Sequence, residues 1–184
     1  MQKRLLTSLL LIPLFLTGCF SGEESASTTI APPGMKIYES SEFSIQFPQD
    51  WQIVEGNDFT STTPSSAQVG FVNNIINEKF TANLNVTIRK ASKDLTSSDL
   101  AKSNNAKTKA NLVELSIQST IESDNGITTN FQGKKAPSSP IIIFSRLDRV
   151  SNGNAYSTTA AHLPEEDESV VNALNEMLDS FSLK

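Results

Sequence analysis

The fold class predicted by the sequence is α+β, on three observations. Several segments alternate apolar and polar residues at the period of a half-buried strand. Asn152-Gly153, the strongest short hairpin signal, lies between two of them. The chain ends in a segment whose apolar residues recur at helical spacing, after a middle stretch with helix-start chemistry.

In chain order, Phe43, Ile45 and Phe47 alternate with Ser44 and Gln46 and predict a strand that Pro48 stops. The turn after Pro48 is expected to return Trp51, Ile53 and Phe59 to the same core, with Trp51 as its anchor. Residues 60–68, small and polar around Pro64, read as a loop. Residues 69–76 read as a strand despite Asn73-Asn74. Residues 82–90 are cleaner: Leu84, Val86 and Ile88 face inward, while Asn85, Thr87 and Arg89 face outward.

Thr96, Ser97 and Ser98 precede Asp99, which suits the positive end of a helix. Leu100, Ala101, Asn104 and Thr108 form that helix's inner face. The face is weakly apolar, so the helix is expected to cover a sheet only in part. Residues 112–122 alternate Val113, Leu115, Ile117 and Ile121 with Glu114, Ser116, Gln118 and Glu122, a further strand. Asp124-Asn125-Gly126 is a turn signal, and residues 128–131 form a short strand after it. Residues 133–140 are a loop. Residues 140–150 and 155–163 form the two arms of the Asn152-Gly153 hairpin. Glu165, Glu166, Asp167 and Glu168 open the final helix, where the dipole favours carboxylates. Val170, Val171, Leu174, Met177, Leu178 and Phe181 make its apolar stripe.

The N-terminal segment speaks to location. Lys3 and Arg4 precede an apolar core of about a dozen residues, shorter than the roughly 20 a membrane-spanning helix needs. This is the layout of a secretory signal peptide. Leu16-Thr17-Gly18-Cys19 then resembles the bacterial lipobox, which implies cleavage before Cys19 and attachment of diacylglycerol and palmitate-like acyl chains to it. Each buried CH₂ contributes about 0.8 kcal/mol, so two or more chains hold where one does not. Cys19 is the lone cysteine, which excludes a disulfide framework and a thiolate metal site. Phe20 stands where an inner-membrane retention aspartate is common in diderm lipoproteins. Its presence favours the periplasmic face of the outer membrane in a diderm source, and the outer face of the plasma membrane otherwise.

The expected organisation is a signal peptide over residues 1–18, lipidated Cys19 with a flexible tether over 19–35, and one domain over 36–184. The tether is rich in Ser and Thr and lacks apolar periodicity. Its average reach is about 20 Å and its full extension roughly 50 Å. The formal net charge is −5. Removing Lys3 and Arg4 takes the 15 basic residues to 13 against 20 acidic ones, near −7, which argues against nucleic acid as a partner.

Catalytic chemistry is hard to assemble from these residues. His162 is the single histidine, and no Gly-x-Ser-x-Gly elbow accompanies it. One histidine and an acylated cysteine leave too few ligands for a transition metal. Residues 165–168 read as a solvated helix start rather than a calcium site. Asp50 and Asp58 have no partner that spacing can name, and no phosphate loop or dinucleotide fingerprint occurs. No catalytic residue, cofactor or metal is expected, and Cys19 is the one site residue.

Three stretches resemble the PsbP-like superfamily. They are Tyr38 with Phe43-Ser44-Ile45-Gln46-Phe47-Pro48 and Trp51, the strand ending Leu84-Asn85-Val86-Thr87-Ile88, and the closing Leu178-Asp179-Ser180-Phe181-Ser182-Leu183. The resemblance implies a three-layer α/β/α sandwich with a central, mainly antiparallel sheet. It also implies a mostly non-enzymatic role, as in photosystem accessory subunits, a nuclear import factor that binds a small GTPase, and bacterial envelope lipoproteins. The expectation is a monomeric envelope lipoprotein, membrane-held through its lipid, that docks on another envelope protein. The alternative is binding of a small or lipid-like ligand between sheet and helix.

Overall fold

The computed structural model of the chain describes residues 31–59 and 65–184. The expected signal peptide, Cys19, most of the expected tether and part of the loop at 60–68 lie outside the described residues. The domain's chain order is β1 (Met35–Glu39), β2 (Phe43–Pro48), β3 (Gln52–Glu55), β4 (Ala67–Val72), β5 (Asn83–Lys90), α1 (Ser97–Asn111), β6 (Val113–Ser123), β7 (Gly126–Lys134), β8 (Ile142–Ser151), β9 (Asn154–His162), α2 (Glu168–Ser180) and β10 (Ser182–Leu183).

Seven strands form one antiparallel sheet in the order β3-β4-β5-β9-β8-β7-β6, and β1-β2-β10 form a small second sheet. Period two divides the large sheet into two faces. Leu84 and Val86 of β5, Leu147 of β8 and Tyr156 of β9 point to one face. They join Phe43 and Phe47 of β2, Phe71 of β4, and Leu174, Met177 and Phe181 in a single buried core. The small sheet and α2 therefore cover this face. The opposite face carries Asn85, Thr87, Ser157, Arg146 and Asp148, and α1 lies on it. The result is the expected α+β fold with a central antiparallel sheet between helical layers, plus a small sheet in the α2 layer.

Local chemistry explains most boundaries. Asn152 and Gly153 both have positive φ, 50° and 72°, the left-handed pair that a type I′ hairpin between β8 and β9 requires. Trp51 is buried, as expected of a core anchor. β4 stops at Val72, earlier than residue 76. Asn73 caps a turn by accepting from the Ile75 N–H (3.1 Å), and Ile75 and Ile76 stand exposed at its tip. Ile53 is 38% exposed rather than core, because β3 is a four-residue edge strand at the margin of the core. Phe59 goes to the other face: its ring sits 3.5 Å from where a Cβ on Gly70 would stand, a seat left by the missing side chain. β7 is longer than residues 128–131, and α2 begins at Glu168 rather than Glu165 because Asp167 is its N-cap. Phe181 caps α2 in an extended conformation and is buried.

β6 is the other edge, and its alternation does not deliver a buried face. Val113, Ile117 and Ile121 are 39%, 47% and 55% exposed. Two register shifts against β7 and a positive φ of 53° at Glu114 break the pleat, a common protection of sheet edges.

Gly126 at the start of β7 has φ +127°, and a Cβ there would lie 2.5 Å from the Asp148 carbonyl oxygen. Gly126→Ala is expected to destabilise the fold by more than about 1 kcal/mol, seen as a lowered urea midpoint. An unmoved midpoint would contradict the close approach.

Both helices open on a hydrogen-bonded carboxylate. The Thr96 hydroxyl accepts from the Asp99 N–H (3.1 Å) and donates to its carboxylate (2.6 Å). Asp167 accepts from the N–H (2.8 Å) and hydroxyl (2.6 Å) of Ser169. The Thr96 hydrogen bond holds Asp99 below its ordinary pKa, and Ser169 does the same for Asp167. A depressed folded pKa contributes stability above the unfolded value of about 4, and that stability is lost as pH falls through the folded value. The Asp99→Asn/Asp167→Asn variant is thus expected to show a flatter acid limb in its melting temperature against pH. An acid limb as steep as in the parent would refute the assignment.

Candidate functional site

α1 docks through polar contacts as much as through packing. Its sequence supplies Leu100 and Ala101 as buried apolar residues and little else. One turn further on, Asn104, Asn105 and Thr108 face a charged pair on β8. Arg146 and Asp148 are two residues apart, so both point to the α1 face, and they are 5% and 0% exposed. The Arg146 Nε donates to Asp148 Oδ2 at 2.7 Å. Its Nη1 donates to Thr108 Oγ1 at 3.1 Å and its Nη2 to Asn105 Oδ1 at 2.5 Å. Asp148 Oδ1 accepts from Asn104 Nδ2 (2.7 Å) and from the Ser157 hydroxyl (2.6 Å). The guanidinium also lies 5.3 Å from the Phe131 ring centroid, and Phe131 stacks on Phe144. Buried charges persist only when paired and hydrogen-bonded, as here. The network fixes the helix to β8 and β9.

Asn104 and Thr108 were legible as the helix's inner face. Arg146 and Asp148 were not singled out. The available signal was two opposite charges flanking Leu147 inside an apolar strand, a placement that needs a polar partner on the far face.

Beside α1, Phe59 packs over Gly70 of β4, and Asn85 and Thr87 of β5 and Ser157 and Thr159 of β9 on this face are half-buried among the described residues. A groove of about 410 Å³ runs over β5 and β9, floored by Asn85, Thr87, Ser157 and Thr159 and walled by Asn104 and Lys107 of the helix. It opens to solvent.

The other candidate groups fall elsewhere. His162 ends β9 with Nδ1 2.7 Å from the Leu163 carbonyl oxygen, so Nδ1 carries the proton and donates. It is five residues along the strand from Ser157, about 16 Å away, too far to serve as that hydroxyl's base. Glu165 and Glu168 are exposed, and Asp167 is spent on capping. Among the described residues no group of three or more His, Cys, Asp or Glu is arranged to hold a metal, and no helix is long and apolar enough to cross a membrane. The Tyr38 hydroxyl donates to Glu55. Burial first, then that hydrogen bond and the Glu55 charge, push its pKa up to about 12, so the phenol stays protonated at neutral pH.

Neither a protein-family model nor a curated protein sequence matches the chain. Solved structures do. LpqN, involved in cell envelope biogenesis of Mycobacterium tuberculosis, superposes with a TM-score of 0.57 at 13% identity, covering 82% of this chain and 90% of that one. The Saccharomyces cerevisiae Ran-binding protein Mog1p gives 0.55 at 9%, over 81% and 95%. Cyanobacterial PsbP (CyanoP) from Synechocystis sp. PCC 6803 gives 0.52 at 14%, over 89% and 100%. At these identities the likeness is one of fold, and the fold is PsbP-like.

Proposed function

We propose that this protein is a lipid-anchored bacterial envelope lipoprotein that acts as a non-catalytic interaction module. Cys19 carries the lipid, the residues after it up to the start of β1 at Met35 form the tether, and the domain that follows works as a monomer close to the bilayer. In a diderm source it faces the periplasm from the outer membrane; otherwise it stands on the outer face of the plasma membrane. The open sheet face beside α1 is the surface for an envelope protein partner. The observation that carries this reading is that face: backed by the core, lined with hydrogen-bonding side chains, and covered only in part by α1 among the described residues. The envelope role in the name of the LpqN structure and the protein partner in that of Mog1p point the same way.

The second reading, a small or lipid-like ligand between sheet and helix, needs enclosed apolar volume. Under α1 stand Arg146 and Asp148 instead, so that reading has less support.

Two measurements test the proposal in the native host. Cys19→Ala is expected to abolish incorporation of radioactive fatty acid, and unchanged labelling would refute the anchor. A photocrosslinking residue at Thr87, on the open face, is expected to give a discrete adduct that the same residue at exposed Glu176 on α2 does not. Equal adducts at both positions would refute the assigned face.

A further inference from the structure

Resting on the assignment of the α1 face as the partner surface, we infer that this face recognises an acidic segment of the partner protein. The charges along the groove carry the inference. Arg89 from β5, Lys107 from α1 and Lys135 after β7 line it together with Arg146. Among the described residues no aspartate or glutamate lines it. Arg146 is neutralised by Asp148, whereas Arg89, Lys107 and Lys135 enter no ion pair among the described residues and are exposed. A protein of net charge −5 thus concentrates three cations along one concavity.

The shape selects the class of occupant. A small anion would leave most of its surface in water in a groove that is open to solvent among the described residues, whereas small-ligand sites bury about 70–90% of the ligand. A planar bilayer cannot reach the floor, because α1 stands above the sheet as a ridge. An extended segment fits. Its carboxylates meet the three cations at the rim, its backbone meets the hydroxyls and amides of Asn85, Thr87 and Thr159, and half-buried Phe144 offers an apolar seat.

The test uses the full lipidated chain in neutral detergent and a fluorescent peptide of alternating glutamate and serine. Its counterpart with glutamine in place of glutamate serves as the control. The glutamate peptide is expected to raise anisotropy saturably and the glutamine peptide is not. Binding should weaken severalfold between low and physiological ionic strength, as the Debye length falls from about 30 Å to about 8 Å. The Arg89→Glu/Lys107→Glu/Lys135→Glu variant is expected to bind about tenfold or more weakly, with an unchanged circular dichroism spectrum, since all three side chains are exposed. The Lys107→Arg variant should retain binding. Several results would overturn the inference: no binding of the glutamate peptide, binding indifferent to the triple reversal, or full competition by inorganic phosphate. So would charge-dependent binding of phosphatidylglycerol vesicles in place of the peptide. Self-association of the parent that the triple reversal abolishes would assign the groove to a second copy instead. In the host, a Thr87 adduct that survives the triple reversal at full yield would defeat this inference and leave the partner surface standing. Loss of the Thr87 adduct in the parent chain would defeat the partner surface itself.

Discussion

Phe181→Ala is expected to lower the unfolding free energy by about 3–5 kcal/mol, the range for removing a buried phenylalanine. Phe181 is 3% exposed and sits where three elements meet. Its ring centroid lies 5.4 Å from that of Phe43 on β2 and 6.3 Å from that of Tyr156 on β9. It is also the C-cap of α2, and its N–H donates to the Leu178 carbonyl. Immediately after it, Ser182 and Leu183 pair with Ser44 and Phe43 to close the small sheet. Removal of the ring therefore opens a cavity at the joint between the large sheet, the small sheet and the helix. Such a loss would consume much of a 5–15 kcal/mol margin. Urea unfolding followed by the fluorescence of Trp51, the single tryptophan and a buried one, reads it directly. An unchanged midpoint would mean that α2 is not packed through its C-terminal end.

What could be read in the sequence was whatever depends on neighbours in the chain. Leu84, Val86 and the outward Asn85 and Thr87 fix β5 and its faces because one face is dry and the other is not. Asn152-Gly153 fixes a hairpin because few other pairs tolerate positive φ twice. The stripe from Val170 to Leu178 fixes α2 because its spacing has no second explanation. The elements that escaped depend on distant partners. β10 is two residues long and exists because Phe43 and Ser44 offer it an edge. β1 alternates only weakly and is defined by its pairing with β2, Lys36 opposite Phe47 and Tyr38 opposite Ile45. The apolar side chains of β6 signalled burial, but position in the sheet decided otherwise: nothing pairs beyond that strand among the described residues. The groove is legible only in part. Arg89 and Lys135 stand 46 positions apart in the chain, with Lys107 between them, and the three become one surface only when β5, α1 and the end of β7 are brought together.

Asp148→Ala is expected to cost about 3–5 kcal/mol, the range for removing one partner of a buried ion pair. The reason is what it leaves behind. Arg146 stays buried with its charge uncompensated, and the Asn104 amide and Ser157 hydroxyl lose the acceptor they share. Arg146→Leu should cost somewhat less at the strand, because Asp148 keeps two donors, yet it frees Asn105 and Thr108 on the helix. The two changes are not independent, since each alone strands a charge that the other removes. The Arg146→Leu/Asp148→Leu double variant is therefore expected to be more stable than the sum of the single losses predicts, by about 1–3 kcal/mol. It should not regain the parent's stability, because four polar side chains on α1 and β9 lose partners and leucine offers none. Amide hydrogen exchange separates a local from a global effect. In Asp148→Ala, the α1 amides are expected to lose more protection than those of β5, because α1 buries only Leu100 and Ala101 and has little else to hold it. If α1 keeps its protection while the whole domain loses stability evenly, the charged pair serves the sheet rather than the helix.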